Sequence, residues 1–383
     1  MQCCVFTRFV YDVPYLDSFI EHYLQLGFDK IFILYNDIVP YHLSEHLIEE
    51  VEVIEVENNG NKLLNEYKHL FMDDFDWVLN VDSDEFLVLH EDYPTIKDYM
   101  MSKLEENENI NMFQFSWAWL HAFNPSPEMT LSEIFSKYQM FIGSKDTTDA
   151  NNNKIVWVKS LTKIEHIEYM TCHNCVLNVP AVIHVDKRIE YHNENSHDSD
   201  NVLINPNDDD DDDDDSDNEN SSINLLPRCY TKRNRTYNEA ALIHVNTRNM
   251  MNAIIKGLNI HVTQVKRKRI KNLKRLKKFV NNFDLTQPVF KETLDEFAKC
   301  IGYKIKFPLM CLEKDKTHKK IRHLNLSTHT VPFCNIKYVP EQQQIHLDDL
   351  QERMKVLFCV LDMEKFIKIL NAFGILFDNT FTA

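Results

Sequence analysis

The stretch Trp77-Val78-Leu79-Asn80-Val81, followed at once by Asp82-Ser83-Asp84-Glu85-Phe86, constrains this chain more than any other. A short, mostly apolar run bounded by polar residues reads as a strand buried on both faces of a parallel sheet. If the backbone stays extended past Val81, alternation points Asp82 and Asp84 to the same side, about 7 Å apart at their Cα atoms. Carboxylates held that close repel unless a cation lies between them. A hard divalent ion, Mn²⁺ or Mg²⁺, suits their oxygens and leaves positions for phosphate. The plainer alternative is an aspartate that caps a turn or faces water. Open α/β sheets bind ligands outside the carboxyl ends of their strands, which favours the first reading.

The neighbouring sequence supplies the rest of such a sheet. Cys3-Cys4-Val5-Phe6 reads as a strand ending at Thr7-Arg8. Pro14 then opens a helix whose Tyr15, Leu16, Phe19, Ile20, Tyr23 and Leu24 recur at helical spacing until Gly27. Lys30 to Tyr35 is a second strand ending at Asn36-Asp37, which completes a βαβ unit. A helix near His42 to Glu49, a strand from Val51 to Val56 and a helical stripe of Leu63, Leu64, Tyr67, Leu70 and Phe71 lead into the Asp-Ser-Asp strand. This alternation predicts an α/β fold, a doubly wound and mostly parallel sheet, with Thr7-Arg8, Asn36-Asp37 and Asp82-Asp84 sharing one crevice. Beyond it, Thr95 to Leu104 reads as a helix and Ile110 to Trp117 as a strand. Trp117-Ala118-Trp119 either walls a sugar ring or fills the core. Ile155 to Leu161 is another strand, with Lys159 as a phosphate or acceptor contact, and Thr247 to Gly257 reads as a helix.

With 383 residues, 44% of them hydrophobic, the chain can bury a sizeable core. The net charge of -17 is concentrated in the run Asp208 to Asp215, inside a stretch (193–222) read as a disordered acidic insertion, so bulk charge makes no case for nucleic acid. Nine cysteines without a paired framework, no secretory segment and no apolar run of about 20 residues predict a soluble, cytoplasmic protein with free thiols. Cys172-His173-Asn174-Cys175 lacks a second well-spaced pair and does not argue for zinc, even with His184 and His192 beyond it. The chain divides into residues 1–265, which carry the sheet, and 266–383, mainly helical. The second part opens with a basic amphipathic helix (266–280) whose Ile270, Leu273, Leu276 and Val280 form one face, allowing at most peripheral membrane contact.

Three segments resemble the glycosyltransferases of the family 2 and family 92 type, which share the GT-A fold. They are Tyr11-Asp12-Val13-Pro14-Tyr15-Leu16 with His22 and Gly27, the run from Asp76 through Asp82-Ser83-Asp84-Glu85-Phe86-Leu87, and Leu242-Ile243-His244-Val245-Asn246-Thr247-Arg248. The first departs from the family pattern, with Tyr11 and Asp12 where asparagine and glutamate are usual, and Val245 stands where a tyrosine usually follows the histidine. The resemblance implies a nucleotide-sugar donor, UDP-linked, and a glycan or protein acceptor hydroxyl. It places Thr7, Arg8, Asp12 and Asp37 at the nucleoside, Asp84 on a Mn²⁺ or Mg²⁺ ion, Asp82 on ribose or a metal-bound water, and His244 as a further metal ligand. Lys159 or Arg8 would add charge stabilisation. An inverting reaction needs a carboxylate base, for which Glu128 and Glu133 are candidates that neither spacing nor resemblance separates. Two other classes fit parts of the pattern: a Mg²⁺-dependent phosphoryl-transfer enzyme or nuclease, and a non-catalytic nucleotide-binding scaffold.

Overall fold

Runs of apolar residues with no polar alternation form the centre of the sheet, because only strands covered on both faces can bury every side chain. In the computed structural model, which describes residues 1–37, 40–56, 61–124, 140–142, 155–185, 188–192, 229–231, 239–249, 256, 267–289, 291–300, 329–330 and 362–373, four strands lie parallel; three are such runs, and the one at the sheet edge, Val51–Glu55, carries exposed Glu52 and Glu55. The four are β1 (Cys3–Phe9), β2 (Lys30–Tyr35), β3 (Val51–Glu55) and β4 (Trp77–Asp82). The remaining strands are β5 (Glu85–His90), β6 (Met112–Asn124), β7 (Met140–Ile142), β8 (Ile155–Lys163), β9 (Ile167–Met170), β10 (Cys175–Leu177), β11 (Ala181–Val185), β12 (Arg188–His192), β13 (Cys229–Thr231), β14 (Ala240–Asn249) and β15 (His329–Thr330). The main sheet runs β15-β5-β14-β6-β8-β4-β1-β2-β3. Antiparallel β8 joins β4 to β6, and β5 lies antiparallel to β14. Because β15 pairs with β5, the sheet also takes a strand from beyond residue 265.

Helices cover both faces, the doubly wound arrangement expected from the alternation. Helix α1 (Leu16–Gln25) and α3 (Ile96–Glu106) pack Phe19, Ile20, Tyr23, Tyr99 and Met100 onto one face. Helix α2 (Asn61–Tyr67) places Leu63 and Leu64 with Phe6, Phe32, Phe71 and Val78 on the other. Gly27 ends α1 at φ +88, and a Cβ there would lie 2.9 Å from Thr95 Cβ, so the turn into β2 requires glycine on two counts. Helix α1 also steadies the strand after the aspartates. Buried His22 Nε2 lies 2.8 Å from the Leu87 carbonyl, and Tyr23 donates its hydroxyl to the Glu85 carbonyl at 2.8 Å.

Helices α4 (Arg267–Asn282), α5 (Lys291–Cys300) and α6 (Met363–Ala372) cluster around Phe279, Phe297, Phe366 and Phe373. The basic helix buries Leu273, Leu276 and Val280 there and exposes Lys274, Arg275 and Lys278. Among the described residues, no helix is long and apolar enough to cross a membrane. Two segments differ from expectation. The stretch from Thr247 does not begin a helix, because β14 continues through Asn249 beside β6. Near His42 to Glu49 the chain makes only a 3-10 turn, Glu45–Glu50. The acidic stretch 193–222 lies outside the described residues.

Buried His184 ties acid stability to the core. Its Nδ1 lies 3.2 Å from the Tyr99 hydroxyl, and the Lys103–Glu239 ion pair (2.8 Å) packs beside it. Burial, then the charge of Lys103, pushes its pKa down to about 4. The unfolded chain, with an ordinary imidazole near 6.5, therefore binds a proton that the folded protein refuses. The stabilisation is complete above that value and is lost as pH falls towards 4. Urea unfolding should show this group costing about 2 kcal/mol between pH 7 and pH 5, and His184→Asn should lose that part of the slope.

Candidate active site

Asp82 closes β4, and the chain turns at once through Ser83 and Asp84 before β5 begins at Glu85. The backbone is not extended here, so the two aspartates do not share a side by alternation. The turn sends them to different partners. β4 and β5 do not pair with each other: β4 lies between β1 and β8, and β5 between β14 and β15. Each aspartate meets what its own neighbouring strands present.

Asp82 faces Lys159. In the antiparallel β4–β8 ladder Leu79 pairs with Leu161, and two residues on, fully buried Lys159 donates to Asp82 Oδ2 at 2.8 Å and to the Cys172 carbonyl at 2.6 Å. Glu85 Oε2 lies 3.4 Å from the same ammonium and accepts the Asp82 backbone N–H at 2.8 Å. Burial would raise the Asp82 pKa, but Lys159 and then Arg8, its register partner on β1, bring it below the ordinary value. Burial dominates at Glu85, pushing it up to about 8 despite Lys159. Lys159 also lies 6.0 Å from the centre of the Trp117 ring. These partners make Lys159, expected as a phosphate or acceptor contact, the cation that holds Asp82 in place.

Asp84 faces His244 and Lys256. Antiparallel pairing sets His244 of β14 opposite Glu85, and the Val245 N–H donates to the Asp84 carbonyl at 2.8 Å. His244 Nε2 then lies 3.3 Å from Asp84 Oδ2, while Lys256 Nζ donates to that oxygen at 2.8 Å. Burial pushes the Asp84 carboxyl up, but the charges of Lys256 and His244 outweigh it and hold the group well below the usual carboxylate range. Burial would lower the His244 pKa, yet Asp84 raises it above the ordinary value. The Trp117 ring lies 4.5 Å from the imidazole, and this tryptophan is buried, so it packs the site from behind and is no open wall for a sugar.

Asp12 joins the cluster from the loop after β1, where Tyr11 adopts φ 66 and donates its backbone N–H to Asp37 Oδ2 at 2.6 Å. Almost fully buried Asp12 accepts from Ser83 at 2.7 Å and lies 3.0 Å from Lys256 Nζ. Asp37 thus fastens the turn that carries Asp12. Thr7, expected at the nucleoside, is fully buried, and its hydroxyl lies 3.3 Å from the Arg8 carbonyl. Glu128 and Glu133 lie outside the described residues. Lys256 and the buried Glu85 have roles here that the sequence reading did not assign. The signal for Lys256 was the need for a cation beside several carboxylates, in the segment that begins at His244.

Asp84 and His244 have the donor chemistry a divalent cation takes. One oxygen of Asp82 is held by Lys159 and one of Asp84 by Lys256, and no group of three His, Cys, Asp or Glu side chains among the described residues is arranged to hold a metal. Cys172-His173-Asn174-Cys175 forms the turn between β9 and β10, with both cysteines free and His173 against Trp157, 4.9 Å between ring centres.

Residues 64–233 match the model of glycosyltransferase family 92. Over this segment the chain is similar to the glycosyltransferases of family 92. The match includes Asp82, Asp84, Glu85 and Lys159, while Arg8, Asp12, His244 and Lys256 reach the site from outside it. Among solved structures, the chain is similar to TarS of S. aureus at 14% identity, TM-score 0.22, over 34% of this chain and only 24% of that one. It is also similar to CMP:2-keto-3-deoxy-manno-octonic acid synthetase complexed with CTP, at 10% identity and TM-score 0.22, over 43% and 75% of the two chains. No curated protein sequence matches.

Removing the Lys159 ammonium would leave Asp82 facing a buried gap and Glu85 without its nearest cation. Lys159→Met should therefore lower unfolding stability by about 3 kcal/mol, measured by urea titration at pH 7.

Proposed function

We propose that the protein transfers a sugar from a UDP-linked donor to an acceptor hydroxyl, with the donor diphosphate seated over the Asp82-Ser83-Asp84 turn. The observation that carries this reading is the grip on Asp84 by His244 and Lys256, beside Asp82 and Arg8, at the carboxyl end of a central parallel strand. Such strand ends are where open α/β sheets bind nucleotides. Arg8 faces the diphosphate, Asp12 and Asp37 shape the nucleoside side of the crevice, and Asp82 is oriented by Lys159 towards ribose. Asp84 and His244 would hold the Mn²⁺ or Mg²⁺ ion that this fold family implies. When bound, that ion supplies positive charge against the diphosphate as it leaves.

The side chains around the turn also bear on the proton transfer. Asp12, Asp82 and Asp84 are each in contact with a lysine, and Glu85 is sealed beneath the turn, so none stands ready to deprotonate an acceptor. The base for an inverting transfer therefore comes from another segment, and Glu128 and Glu133 remain its candidates.

A ligand that binds only the folded state raises its melting temperature. Among UDP, GDP, CMP and their sugar conjugates, with Mn²⁺ present, a UDP-sugar should give the largest shift. Arg8→Ala should weaken its binding about tenfold, the loss of one charge-assisted contact. No shift with any uridine nucleotide would contradict the proposal.

A further inference from the structure

Lys256 stands where a metal ion would be expected. Its ammonium lies between two carboxylates carried by different loops, 2.8 Å from Asp84 Oδ2 and 3.0 Å from Asp12 Oδ2. All three side chains are largely shielded from water, at 15%, 12% and 1% exposure respectively for Lys256, Asp84 and Asp12. The oxygen it occupies is the one that His244 Nε2 approaches at 3.3 Å. An ammonium and a divalent ion cannot both take that oxygen, because each repels the other at contact distance in a poorly solvated setting.

We propose that Lys256 is the resident cation of the Asp84 site: in the ligand-free protein it fills the position that a divalent ion takes only when a nucleotide diphosphate is present. This rests on the donor reading above and adds an order of events to it. Without nucleotide, two buried carboxylates and one lysine form a satisfied cluster, and a metal ion gains little by displacing a tethered cation. A diphosphate arriving with its metal changes the balance. It brings negative oxygens to which the Lys256 ammonium can swing on its flexible four-carbon stem, freeing Asp84 for the ion. Asp12 retains its bond from Ser83 throughout, so one carboxylate stays partnered while the lysine moves.

The test is Mn²⁺ binding to the full-length protein without nucleotide, read from the free-ion signal in electron paramagnetic resonance. Wild type should bind weakly, and Lys256→Met and Lys256→Gln should each bind at least about tenfold more tightly, the effect of removing one like charge from the site. Lys256→Arg should stay as weak as wild type. Adding Asp84→Asn to Lys256→Met should abolish the gain, which locates the ion. Equal affinity in wild type and both neutral variants, or no binding by any of them, would overturn the proposal. Melting curves of the variants establish that each is folded. Thermal shifts with UDP and Mn²⁺ together, measured in parallel, separate the two claims: their absence would contradict the donor reading, while the nucleotide-free Mn²⁺ comparison still decides the role of Lys256.

Discussion

The pairing of two lysines with the carboxylates of one tight turn organises the functional end of this molecule. Asp84 and Glu85 are buried beside the part-exposed Asp82, and without cations the three would repel and the inner two resist burial. Lys159 arrives on β8 and satisfies Asp82 from one side. Lys256 and His244 reach Asp84 from the other, and Lys256 also gathers Asp12. The turn therefore acts as a junction between the parallel half of the sheet and the β5-β14 pair, and the placement of those strands and the charge balance of the site depend on each other.

The parallel core was legible from sequence because its signals are local. Buried strands and a helix spaced by Pro14 and Gly27 are written in consecutive residues, and they reappear as β1, α1, β2 and β4. The capped helix near Thr95 followed for the same reason: Thr95 and Asp98 form a reciprocal capping box. The turn at Ser83-Asp84 was not legible, since alternation alone predicts continued extension and only the pairing of β5 with β14 shows that the chain changes neighbours. The same non-local pairing draws Thr247 to Asn249 into a strand. Lys256 was hidden by distance, its partner Asp84 lying 172 residues earlier in the chain.

The site also joins segments of different standing. The family 92 match supplies the turn and Lys159, while the loop after β1 contributes Arg8 and Asp12 and the strand beyond the match contributes His244. The departures Tyr11 and Asp12 acquire a physical meaning in this light. Tyr11 takes a left-handed backbone conformation fastened by Asp37, and that turn delivers Asp12 to Ser83 and Lys256.

The central claim is that the Asp84 cluster is the seat of glycosyl transfer. The most direct measurement is release of UDP from a panel of UDP-sugars by the full-length protein, compared with Asp84→Asn. The account predicts that one UDP-sugar is consumed by wild type and that the variant, which keeps the shape of the side chain but not its charge, loses at least about a hundredfold in rate, the scale expected when an electrostatic contact to a leaving group is removed. Consumption at an unchanged rate by Asp84→Asn would place the chemistry elsewhere and contradict the account.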